Sequence, residues 1–143
     1  MFINFATTKN HITMANYYLY KNLGKTDFNE ALEKFTAVSK ENGFGVLTDL
    51  DLKEIFKKKI DKDINRYRLL GICNPNLAYK ATTAETSVGV FLPCSVVIAE
   101  NNSGEVEVFI MNPQLALDMI DNQDVKEVGS EANSRLQKII ESL

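Results

Sequence analysis

The first strong pattern along the chain is helical. Phe28, Ala31, Leu32, Phe35 and Val38 recur on one stripe, with Glu33, Lys34 and Lys40 turned away. Asp27 and Glu30 precede it as D-x-x-E, a capping box in which each side chain can satisfy a free helix-end N–H. Asn42-Gly43 ends the stripe, because glycine accepts the left-handed C-terminal position without strain. Upstream, residues 15–21 form an aromatic, β-prone run that predicts a first strand closed by Gly24. Downstream, residues 44–50 predict a second strand. Asp51 then caps a short helix whose apolar positions are Leu52, Ile55, Phe56 and Ile60.

From Arg66 the period changes to two. Tyr67, Leu69, Gly71 and Cys73 alternate with Arg66, Arg68, Leu70 and Ile72, until Asn74-Pro75 ends the strand and residues 76–81 predict a short helix. Over residues 88–99 both alternating faces are largely apolar, the pattern of a strand covered on both sides, with a bulge or edge position expected at Pro93. Asn101-Asn102-Ser103-Gly104 fits a three-residue hairpin with Gly104 left-handed. That loop pairs Asn101 with Glu105, and so sets Ile98 against Val108 and Val96 against Ile110. One more loop residue would set Ile98 against Glu107, a poorer match. Val106, Val108 and Ile110 alternate with Glu105, Glu107 and Phe109, so the last strand has one wet end. Asn112-Pro113 starts a short helix through Leu115, Ala116, Met119 and Ile120, and a final helix from Asp124 carries Val125, Val128, Leu136, Ile139, Ile140 and Leu143. Residues 1–13 show no period and read as an N-terminal extension. Residues 14–143 read as a single α+β domain, a mainly antiparallel sheet with helices on one face.

Composition narrows the function classes. The chain has 143 residues, of which 45% are hydrophobic, enough for one core and too few for two ordinary ones. With 16 Lys+Arg against 19 Asp+Glu, the net charge of −3 gives no reason to expect nucleic acid or an anionic membrane as partner. No apolar run approaches the ~20 residues that span a bilayer, and the N-terminus has neither a basic nor a sustained apolar signal region. A cytoplasmic location is therefore expected. The one histidine, His11, lies in the extension, so the domain proper has no imidazole for a triad, a Cys-His dyad or a His-rich metal site. With Cys73 and Cys94 alone, structural zinc lacks its usual ligand set, and twenty residues between them make no CxxC motif. No catalytic residue, metal or cofactor is expected.

Cys73 and Cys94 are nevertheless the sharpest candidates for chemistry. Cys73 precedes a helix start, where free N–H groups favour a thiolate; Cys94 follows Pro93, whose missing N–H opens a gap in the ladder. Burial as small apolar residues is the commoner fate of free cysteine. The Cys73-Asn74-Pro75 turn and the Leu92-Pro93-Cys94 kink each strand backbone polar groups, and Asn74 and Ser95 are the side chains nearby. If the two motifs adjoin, Cys73, Asn74, Cys94 and Ser95 form one shallow binding or redox pocket. The basic stretch from Lys53 to Arg68 is offset by Glu54, Asp61 and Asp63, and reads as a solvated helix face. Asp51 is explained by capping, and Asp49 as a surface residue. Neither a GxxxxGK[ST] nor a GxGxxG motif occurs. Tyr17, Tyr18, Tyr20 and Tyr67 suit ligand stacking, although aromatics on half-buried strands are more often core or interface.

The order and spacing of Tyr17-Tyr18, Gly43-Phe44-Gly45-Val46-Leu47, Leu69-Leu70-Gly71-Ile72-Cys73-Asn74-Pro75 and Leu92-Pro93-Cys94, followed by Val96-Val97, Gly104 and Asn112-Pro113, carry a resemblance. From about Met14 to its end the chain resembles domain-of-unknown-function family 302, in the subset with Cys-Asn-Pro and Leu-Pro-Cys. The resemblance implies a β-α-β4-α domain like the TATA-box-binding protein, often a homodimer, and it implies no reaction. Where Asn commonly follows the second cysteine of that subset, this chain has Ser95. The expectation from the sequence is a non-enzymatic ligand- or partner-binding homodimer joined through its sheet, with a small molecule as possible ligand. The alternative is a thiol-dependent redox or sulfur-handling protein using Cys73 and Cys94.

Overall fold

A computed structural model describes residues 17–143. The expected extension over 1–13, and the start of the first strand, lie outside the described residues. Five strands, β1 (Tyr18–Asn22), β2 (Gly45–Asp51), β3 (Tyr67–Cys73), β4 (Cys94–Glu100) and β5 (Val106–Met111), form one sheet in the order β1-β5-β4-β3-β2, every neighbouring pair antiparallel. The helices are α1 (Phe28–Glu41), α2 (Leu52–Ile60), α3 (Pro75–Ala84), α4 (Pro113–Leu117) and α5 (Gln123–Ser142). Without the short helices this is the β-α-β4-α order that the resemblance implies, and the α+β class holds.

Alternation decides which face is buried. Leu19, Leu70, Ile72, Val96, Ile98, Val108 and Ile110 project to one side of the sheet, where they meet Phe28, Ala31, Phe35 and Val38 of α1 and Ala132, Leu136 and Ile139 of α5 in the main core. Each α1 residue named here stands on the helical stripe read from the sequence, and Asp27 caps the helix by accepting from the Glu30 N–H at 2.9 Å. The hairpin register is the expected one. Ile98 pairs with Val108 and Val96 with Ile110, Asn101 N–H donates to the Glu105 carbonyl at 2.8 Å, and Gly104 has φ 79°, a conformation costly for any residue with a Cβ.

The long strand expected over 88–99 is corrected. Its first part, residues 88–91, lies in a 3-10 helix over Thr86–Phe91; a cis Leu92-Pro93 peptide follows, and β4 begins only at Cys94. The apolar run misled because a buried strand and a buried turn of helix look alike over a few residues. Val88 is buried in a second cluster with Ala81, Leu117, Val125 and Val128, whereas Val90 is 84% exposed. The helix expected over 76–81 is longer, extending from Pro75 to Ala84.

Candidate functional site

The two motif turns do adjoin. Ile72 of β3 pairs with Cys94 and Gly71 pairs with Ser95, so the end of β3 lies beside the start of β4. Cys73, Asn74 and Cys94 line one cavity, closed by apolar groups that include Phe44, Leu77, Phe91 and Met111. Ser95 does not join them. It points to the opposite face of the sheet, as strand alternation requires of the neighbour of a buried Cys94.

This cavity is poorly suited to thiol chemistry. Its volume is about 30 Å³, room for a water or two. Both cysteines are free. Burial pushes the Cys73 thiol up, and it pushes Cys94 up to about 11, with the neighbouring Cys73 adding to the effect. The helix start that seemed able to favour a thiolate is already occupied, because the buried Asn74 side chain accepts the Leu77 N–H at 3.0 Å. Asn74 thus serves as the cap of α3, with Pro75 in its first turn.

The other sequence candidates have structural partners. Arg68 holds Asp49 through two bonds, Nε to Oδ1 at 2.8 Å and Nη2 to Oδ2 at 2.6 Å, and Asp51 caps α2 through the Glu54 N–H. On α2, Lys57 pairs with Asp61 and Lys58 with Glu54, as a solvated face should. Among the described residues, no group of three His, Cys, Asp or Glu side chains is placed to hold a metal, and no helix is long and apolar enough to cross a membrane.

The more open site lies on the sheet face opposite the main core. Tyr20 pairs with Phe109, Phe109 with Val97, Val97 with Leu69 and Leu69 with Leu50, so one row of apolar side chains crosses all five strands. All five are half-buried or exposed. Part of this face forms a concavity of about 630 Å³ lined by Tyr17, Tyr18, Tyr67, Phe109, Val97, Met111 and Ser95, with Glu107 as the one charged group that lines it among the described residues. The rings of Tyr17 and Tyr18 stand edge to face at 4.9 Å, as do those of Tyr18 and Phe109 at 5.2 Å. The Tyr20 hydroxyl donates to Glu107 Oε2 at 2.5 Å. Burial, and then that carboxylate, raise the Tyr20 pKa, which keeps the phenol protonated as the donor.

The tyrosines of this site stand out in the sequence, but Glu107 and Phe109 do not. The available signal was their alternation with Val106, Val108 and Ile110, which placed them on the face away from the core without showing that Tyr67 and Tyr18 share it.

Comparison with known proteins agrees with the fold. A crystal structure of an uncharacterized conserved protein DUF302 from Bacillus stearothermophilus superposes with a TM-score of 0.81 at 26% sequence identity, covering 89% of this chain and 98% of that one. No curated protein matches the chain. The model of the family described as domain of unknown function DUF302 matches residues 20–143, and the chain belongs to that family.

Proposed function

We propose that this protein is a non-enzymatic binding domain that pairs with a second copy of itself through the open sheet face. The observation that carries the reading is the row Tyr20, Phe109, Val97, Leu69 and Leu50. The apolar strand over 88–99 that first suggested a sheet interface is shorter than expected, and the row across five strands supplies the support in its place. Contact between two copies about a two-fold axis needs a self-complementary patch, and an apolar row with its carboxylate set to one side suits that. The two free thiols fit a reducing, cytoplasmic setting. The Cys-Asn-Pro and Leu-Pro-Cys motifs support assigning the chain to a cysteine-bearing subset of its family. The thiol-dependent alternative draws no support from two thiols whose pKa values are both raised.

Sedimentation of the wild type and of Leu50→Glu tests the dimer. Leu50 is 46% exposed on an edge strand, so the substitution leaves the core intact. A wild-type dimer at micromolar concentration, weakened at least about tenfold by a carboxylate placed in the interface, is the expected result. A wild type that sediments only as monomer overturns the reading.

A further inference from the structure

We infer that the cleft where the first turns of α1 and α2 meet the start of β3 binds an organic phosphomonoester, its phosphate held by Arg66, Lys53 and Arg68 and its uncharged organic part laid in the apolar groove beside it. The cleft shares no residue with the row of Tyr20, Phe109, Val97, Leu69 and Leu50, so the inference goes beyond the dimer and does not depend on it.

The basic stretch from Lys53 to Arg68 does not act as one solvated face. Lys57 and Lys58 pair with Asp61 and Glu54, but Lys53, Arg66 and Arg68 line one cleft of about 220 Å³, in which Asp51 is the one carboxylate among the described residues. Lys53 Nζ donates to the Ile64 carbonyl at 2.7 Å and keeps its remaining protons. Arg68 spends Nε and Nη2 on Asp49 and keeps Nη1. Arg66 is the most available of the three. The chain has three arginines; Arg68 and Arg135 each hold a carboxylate, and Arg66 holds none among the described residues. Its guanidinium instead lies over the ring of the buried Phe28, 5.6 Å from the centroid, which restrains the fork without using its donors. Asp51 is engaged as the cap of α2 through the Glu54 N–H. Three cations against one capping carboxylate make the local field favour an anion, although the chain as a whole is acidic.

A phosphomonoester matches this set better than a carboxylate does. It carries about −1.5 to −2 charge near pH 7 and has three terminal oxygens to share among three donor groups. Beside the cleft, and sharing Arg66 and Tyr67 with it, runs an open groove of about 430 Å³ lined by Leu52, Phe56 and Ile64. The two spaces together have the size of a small-molecule site. Glu100 also lines the groove and disfavours a second anionic group there, so the ligand is one phosphate on an uncharged, apolar body.

Phenyl phosphate, inorganic phosphate and benzyl alcohol are the probes, titrated into the full chain by calorimetry at fixed ionic strength. Phenyl phosphate should bind saturably and at least about tenfold more tightly than either of the others. Arg66→Gln, a change at an exposed position, should weaken phenyl phosphate at least about tenfold with the fold intact by circular dichroism. Lys57→Gln removes the same charge from a residue that pairs with Asp61 outside the cleft, and should change the affinity less than about twofold. An equal loss in the two variants would reduce the effect to the general charge of the surface and overturn the site. Absence of saturation up to about 20 mM phenyl phosphate, or an equal affinity for inorganic phosphate or for benzyl alcohol, overturns it as well.

Discussion

Replacing Gly71 by alanine tests the junction on which the fold of both motifs depends. Gly71 sits in mid-sheet, paired with Thr48 of β2 on one side and Ser95 of β4 on the other. A Cβ there would run into Thr48 Oγ1 and come to 2.6 Å from Cγ and 3.4 Å from Cβ of the Pro93 ring. Thr48 is exposed on an edge strand and can rotate away. The proline ring cannot, because it is closed onto its own backbone. Carbon atoms rest at ~3.5–4.0 Å, so close to 1 Å must be found by moving the start of β4 against β3. Overpacking of this kind costs about 1–3 kcal/mol, and the lower entropy of an unfolded chain with alanine returns about 0.4–1 kcal/mol. The two terms leave a net loss centred on about 1.3 kcal/mol and at most about 2.6 kcal/mol, which lowers the urea midpoint by somewhat less than about 1 M at an unchanged m-value. Gly45→Ala is the control, since nothing lies within 4 Å of its Cβ position and its φ is ordinary; it should be neutral or slightly stabilising. Adding Thr48→Ala to Gly71→Ala should recover only the threonine share. A Gly71→Ala midpoint equal to or above that of Gly45→Ala, measured by circular dichroism, would refute the argument.

Ser39 is fully buried in α1 and its hydroxyl has no hydrogen-bond partner among the described residues, so Ser39→Ala should raise stability by about 0.5–1.5 kcal/mol in the same melts; a loss above ~1 kcal/mol would refute that reading. The thiols should react slowly with a disulfide reagent at pH 8 in the native protein and quickly in denaturant, and a fast native thiol would reopen the redox alternative. Between pH 9 and about 11 the unfolded Cys94 releases its proton while the folded one keeps it, so stability should fall with rising pH by roughly 2 kcal/mol across that window. Cys94→Ala should be weaker at neutral pH and show a flatter slope above pH 9.

Local rules made much of this fold readable. The α1 stripe, the Asp27, Asp51 and Asn112 caps and the Asn101–Gly104 hairpin depend on neighbours within a few residues, and all appear where the periodicity and turn chemistry put them. The errors came where burial is set by distant elements. Val88 faces α5 residues Val125 and Val128, nearly forty positions away, and that contact selects a 3-10 turn over a strand. The strand order placing β5 between β1 and β4 is likewise invisible to periodicity, and it is this order that brings Tyr18 and Tyr20 beside Phe109 and Met111.

The same reasoning explains why the motifs that signal the family say little about chemistry. Gly71 leaves room for the Pro93 ring, Ile72 and Cys94 fill the core as a cross-strand pair, and Asn74 and Pro75 start α3. Most residues of Leu-Gly-Ile-Cys-Asn-Pro and Leu-Pro-Cys are thereby engaged in pairing β3 with its neighbours, filling the core or starting α3, and the cavity left between the motifs holds no more than a water or two. Residues spent on packing are poor places to look for a ligand. The candidate groups stand on the alternate positions of the same strands, where Ser95 follows Cys94, Val97 follows Val96, and Glu107 and Phe109 flank Val108. A β-strand gives its core one half of its side chains and leaves the other half available for recognition, so the function of this domain is to be sought one residue away from its motifs.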